Sequence, residues 1–137
     1  MAFSFYSRWY AWRRALGVFL SSYWRYRPNR RYLVLALIIQ VALWFFAYKI
    51  FTTVGQDLFV AHYNVDFGID SIGDGRRVFS APLLALGVII FNFLLTAIFA
   101  RREHFHFLSH AFGLLTVFAQ ILAALVLMSL YLINFLA

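Results

Sequence analysis

The sequence predicts an all-α integral membrane protein: three transmembrane helices preceded by an amphipathic interfacial helix, N-terminus inside and C-terminus outside. Three observations lead there. Of 137 residues, 64% are hydrophobic and only 12% charged, against roughly 45–50% and about 25% in soluble domains. A soluble fold of this size could not bury so much apolar surface. The apolar residues gather in three long runs, about 32–54, 80–100 and 110–133, each able to cross about 30 Å of hydrocarbon at 1.5 Å per residue. Finally, the arginines sort to one side of these runs, which fixes a direction.

Residues 1–31 form the first unit, aromatic, arginine-rich and free of acids. At 100° per residue, Ser4, Ser7, Arg8, Ala11, Arg14, Ala15, Ser21, Ser22 and Arg25 share one face. Phe5, Trp9, Trp12, Leu16, Phe19, Leu20 and Tyr23 share the other. Such a helix can lie in the interface with its rings at headgroup depth, or pack on a protein neighbour. Arg-Pro-Asn-Arg-Arg at 27–31 is expected to break it, because proline disfavours helix at the residue before it. The segment has no compact apolar core or small-residue cleavage site of a secretory signal. Its arginine and serine content without acid is shared by mitochondrial targeting peptides. The expected location is a bacterial cytoplasmic membrane, with the mitochondrial inner membrane as the alternative.

The second unit, 32–137, holds the three spans. Lys49 near the far end of the first is expected to snorkel outward, toward Asp57, beside a belt of Trp44 and Tyr48. Ser80 is placed to cap the second span, with Pro82 in its first turn, where a missing N–H costs nothing. Arg8, Arg13, Arg14, Arg25, Arg27, Arg30 and Arg31 precede the first span, and Arg101 and Arg102 separate the second from the third. The loop 55–79 instead holds Asp57, Asp66, Asp70 and Asp74 against Arg76 and Arg77. The positive-inside rule then puts the N-terminus inside and the Asp-bearing loop outside.

Net charge is +7. Beside apolar helices, that charge fits anionic lipid headgroups rather than nucleic acid, with Arg8, Arg13, Arg14, Arg25, Arg101 and Arg102 as the contacts. There is no cysteine, which removes disulfides and thiolate chemistry. No nucleophile motif, phosphate-binding glycine loop or catalytic carboxylate pair can be assembled. A non-enzymatic protein without cofactor or metal is expected, associating with itself or with other membrane proteins.

Each span carries one carboxamide: Gln40, Asn92 and Gln120. Each lies about 12–15 Å from the inner boundary, so the three are expected at one depth and in mutual contact, with Thr96 and Thr116 nearby. Interhelical hydrogen bonding is the plain role for them; a polar step in a transport path is the functional one. Ala119, Ala123 and Ala124, with Gly87, would permit close helix approach. His104, His106 and His110 sit at the inner turn, the latter two at a metal-compatible spacing of four, yet a basic headgroup patch describes them more simply.

The outer loop is the leading candidate for specificity. His62, Asp66, Asp70 and Asp74 could present oxygen and nitrogen ligands, but the glutamate that closes a calcium loop is missing. Asn64, Asp66, Gly68, Asp70, Gly73, Asp74 and Gly75 read alternatively as turn-formers with local backbone bonds, and the apolar members suggest a loop folded back over the helix ends.

At H-Y-N-V-D-F-G-I-D-S-I-G the chain resembles a group of small three-span bacterial membrane proteins sharing a loop close to L-H-Y-N-x-x-F-G-I-D-x-I-G. The matching residues are His62, Tyr63, Asn64, Phe67, Gly68, Ile69, Asp70, Ile72 and Gly73, within a similarity running from about Tyr32 onward. A more distant likeness is to the domain of unknown function in sporulation-delay immunity-type membrane proteins, though Ala61 stands where that signature has proline. The resemblance implies three spans and an important outer loop, and no catalytic activity. Three functions remain open from the sequence: an accessory component of a membrane assembly, a sensor or immunity factor binding a peptide with its outer loop, and a small transporter.

Overall fold

A computed structural model describes residues 2–53, 59–64, 68–99 and 103–136. Helix α1 (Ala2–Arg25) is followed by α2 (Arg27–Thr53), an antiparallel pair β1 (Phe59–Asn64) and β2 (Gly68–Gly73), a 3₁₀ helix (Gly75–Phe79), α3 (Ser80–Ile98) and α4 (Phe105–Leu136). Three helical segments, Arg27–Thr53, Gly75–Ile98 and Phe105–Phe135, are long and apolar enough to cross a membrane. The helical class is therefore present, with three helices fit by length and composition to serve as the expected spans.

Several boundaries differ from those expected. The break after α1 is a single residue, Tyr26, not the stretch Arg27–Arg31. Pro28 instead lies in the first turn of α2, where its absent N–H belongs to the set no helix can pair. Ser80 does not cap α3. The 3₁₀ helix runs straight into α3 and supplies the preceding turn, while Ser80 Oγ donates to the Arg77 carbonyl at 2.7 Å. The capping role passes to Asp74, whose Oδ1 accepts from the Arg76 N–H at 2.8 Å. At about 48 Å, α4 outreaches the hydrocarbon, beginning five residues before the expected position 110.

The bundle has two distinct ends. One gathers the start of α2, the end of α3 and the start of α4; Tyr26 lies against Phe105 and His106 there. The other gathers the end of α2, the hairpin, the 3₁₀ helix and the end of α4. Its core is Leu43, Ala47 and Ile50 of α2, Val78, Ala81 and Ala85, and Ala123 and Leu127 of α4. The alanines permit close approach, which matters because packing, not a hydrophobic drive, joins helices in lipid.

Gly87 plays no part in that approach, since it is exposed and a Cβ there would meet nothing. The glycine that makes room is Gly113 of α4, where a Cβ would overlap the ring of Tyr32. Outward, α2, α3 and α4 present exposed Leu, Ile, Val and Phe, including Ile38, Val41, Leu84, Ile98 and Phe118. The interior meanwhile holds Asn29, Gln40, Asn92, Thr96, Ser109, Thr116 and Gln120. That inversion of the soluble pattern suits a hydrocarbon solvent.

Candidate functional site: the hairpin and the buried amides

The segment expected as turns contains a β-hairpin. Phe59 pairs with Gly73, Val60 with Ile72, His62 with Ser71, Tyr63 with Ile69 and Asn64 with Gly68. The register slips once on each strand, leaving Ala61 and Asp70 as bulge residues, and the second slip restores the first. Bulges bend a strand and raise its twist. His62, Tyr63 and Asn64 thus belong to β1, and Gly68, Asp70 and Gly73 to β2, all placed here by backbone alone. Asp57, Asp66 and Phe67 lie outside the described residues.

One side chain from the far end of the chain fastens this hairpin. Asn134 of α4 accepts the Val60 N–H on Oδ1 at 2.9 Å and donates Nδ2 to the Val60 carbonyl at 3.1 Å. A carboxamide has the donor and acceptor of a peptide group, so Asn134 occupies the position a neighbouring strand's backbone would take. Its Nδ2 also donates to the Leu130 carbonyl at 2.8 Å, which orients the amide from its own helix. The sequence does not single out Asn134; its only signal is a carboxamide at the apolar end of a span. At the other margin, the Arg77 guanidinium lies against Gly73, where a Cβ would stand 3.2 Å from it. Gly75 is buried against the Phe51 ring.

Below the hairpin, the three carboxamides are buried but do not meet. Gln40 Nε2 donates to the Pro82 carbonyl at 2.8 Å, and Gln120 Nε2 to the Ala85 carbonyl at 3.2 Å. Asn92 Nδ2 donates to Thr116 Oγ1 at 2.9 Å and to the Phe112 carbonyl at 3.3 Å. Because Asn92 is seven residues beyond Ala85, it lies about 10 Å farther along α3. The expected single layer is thus two stations. The reason is that a helix carbonyl keeps a second lone pair, so a span's own backbone offers acceptors closer than the next amide. Thr116 joins the Asn92 station and also bonds back to the Phe112 carbonyl of its own helix, while Thr96 is tied to it by the bond from its Oγ1 to the Asn92 carbonyl.

A small cavity of about 20 Å³ adjoins that station, lined by Tyr23, Asn29, Tyr32, Asn92, Thr96 and Ser109 among others. Asn29 Nδ2 and Ser109 Oγ, both buried, have no partner there. The volume matches one water, and the walls are polar enough to hold it.

At the arginine-rich end, His110 is bridged by two phenols: Tyr26 Oη stands 3.1 Å from Nε2 and Tyr32 Oη 3.1 Å from Nδ1. His106 holds its ring tilted against that of Tyr26, with centroids 4.7 Å apart, while His104 is exposed. Among the described residues no three His, Asp or Glu converge as metal ligands. Tyr23 at the end of α1 is buried edge-on against Phe93 of α3 at 4.7 Å, and burial pushes its phenol pKa above the ordinary 10.0. Arg8, Arg13, Arg14 and Arg25 are exposed along α1; Arg101 and Arg102 lie outside the described residues. Trp9 and Leu20, expected on the apolar face, are also exposed; Phe5, Trp12, Leu16 and Phe19 are placed by backbone alone. Lys49 sits 5.7 Å over the Phe45 ring.

No protein-family model matches the chain, and no characterised protein or solved structure matches it significantly.

Proposed function

We propose that this chain is a non-enzymatic component of a membrane assembly, meeting its protein partner through the outer hairpin. The observation that carries this reading is the Asn134–Val60 pairing. It covers one edge of β1 and holds the hairpin on the bundle, and among the described residues no further strand pairs with β2. An open, anchored edge is the surface on which an extended segment adds as a strand. This favours a partner that contributes extended backbone, which also suits the peptide-binding role of an immunity-type protein. The loop resemblance at His62–Gly73 agrees with a role for this segment. In this reading the hairpin faces outward and α1 lies at the inner interface, following the arginine distribution.

The test is a photo-crosslinking residue at Ser71 on β2, with Leu84 on the lipid face of α3 as control. In native membranes Ser71 is expected to capture one protein at near-stoichiometric yield, lost in Asn134→Ala, while Leu84 captures lipid only. Capture of nothing but lipid at both positions would reject the proposal.

A further inference from the structure

The start of α2 carries a second surface that none of these roles uses. Trp24, Arg27, Arg30, Arg31, Val34, Leu35 and Ile38 line one open groove of about 780 Å³. On α2 these positions follow the spacing of a single helical stripe, with the charged members first and the aliphatic ones after. All three arginines are exposed, and Val34, Leu35 and Ile38 remain roughly half exposed, so among the described residues no element covers the stripe. The buried face of the same helix is elsewhere, at Asn29, Ala36, Gln40 and Leu43.

We infer that this groove binds one anionic phospholipid, its phosphate on Arg27, Arg30 and Arg31 and an acyl chain along Val34, Leu35 and Ile38. Three features select that occupant. The stripe from Arg27 to Ile38 rises about 16 Å, close to half of the roughly 30 Å hydrocarbon thickness, so it is one leaflet deep with its charge at the interface end. Guanidinium forks bind phosphate oxygens bidentately, and the first turn of α2 adds the positive end of its dipole. Of the chain's five acids only Glu103 is on this end's connection, the other four lying between β1's approach and the 3₁₀ helix, so little competes for the arginines. A free phosphate would leave the aliphatic floor unused. A second copy would bring three more arginines against these and be repelled. Trp24 closes the groove at headgroup depth, where tryptophan is at home.

Trp24 is also the reporter. With Trp9, Trp12 and Trp44 replaced by Phe, the full-length protein is reconstituted in phosphatidylcholine vesicles carrying a minor fraction of brominated phosphatidylglycerol. Quenching of Trp24 should exceed, severalfold, that from the same fraction of brominated phosphatidylcholine. R27Q/R30Q/R31Q should bring it to the phosphatidylcholine level, whereas K49Q/R76Q, exposed cations at the other end of the bundle, should leave it unchanged. R27K/R30K/R31K keeps the charge and loses the forks, which separates a site from diffuse attraction and avoids a folding failure. It should show a clear loss of preference. Equal quenching by both lipids, full preference in the lysine variant, or loss of preference in the K49Q/R76Q variant would each overturn the inference. So would a Trp24 shielded from both lipids with Val34 crosslinking between copies.

Discussion

Replacing Asn134 with alanine should release the hairpin while leaving the bundle intact. The side chain makes two bonds to the Val60 peptide, at 2.9 and 3.1 Å. Each is worth about 0.5–1.5 kcal/mol net, so docking should weaken by about 1–3 kcal/mol. At about 1.4 kcal/mol per factor of ten, that is roughly a 5- to 150-fold rise in the opening equilibrium of β1. Hydrogen exchange in lipid nanodiscs reads it directly, at the Val60 amide. The core around Leu43, Ala85 and Leu127 does not include Asn134, so amides of the spans should exchange as before. Asn134→Asp adds a sharper demand. It retains an acceptor for the Val60 N–H but sets an oxygen against the Val60 carbonyl, so it should protect no better than alanine. Unchanged exchange at Val60 in Asn134→Ala would refute the reasoning, as would an equal rise across all helices.

Two further outcomes follow from the arginine-rich end. Gly113→Ala drives a methyl into the Tyr32 ring and should cost about 1–3 kcal/mol by overpacking, read as a lower midpoint in denaturant titration of nanodisc-held protein; Tyr32→Ala in the same chain should recover part of it. The Tyr23 phenol titrates above 10.0 because burial disfavours its anion. The folded state therefore keeps a proton that the unfolded chain releases, and this contribution to stability, full below pH about 10, is lost as pH rises through the folded value. Tyr23→Phe should remove that alkaline decline; a decline of equal steepness in the variant would locate its cause elsewhere.

The spans could be read from the sequence because an apolar run of about 20 residues has few other uses. The hairpin could not. Ala61 and Asp70 are bulge residues, so the period-two alternation that betrays a strand is interrupted on both sides of the turn. The carboxamides were legible as buried donors, since an amide in hydrocarbon must find a partner. Their acceptors were not, because every helix carbonyl is a candidate and the sequence does not mark which one a neighbour brings near. The bridge from Tyr26 and Tyr32 to His110 was hidden for a related reason: it exists only where the starts of α2 and α4 come together.

The two stations of buried amides bear on the order in which the bundle can be built. Both Gln40 and Gln120 donate to carbonyls in the first two turns of α3, three residues apart. A chain threaded into the bilayer from its N-terminus therefore carries Gln40 unpaired until Pro82 arrives. Once α3 is in place, Ala85 already waits for Gln120. The third helix to enter finds its acceptor prepared and then brings Asn134 to Val60. Fastening of the hairpin is thus the closing event of assembly, and the docked hairpin reports that every helix beneath it has been seated.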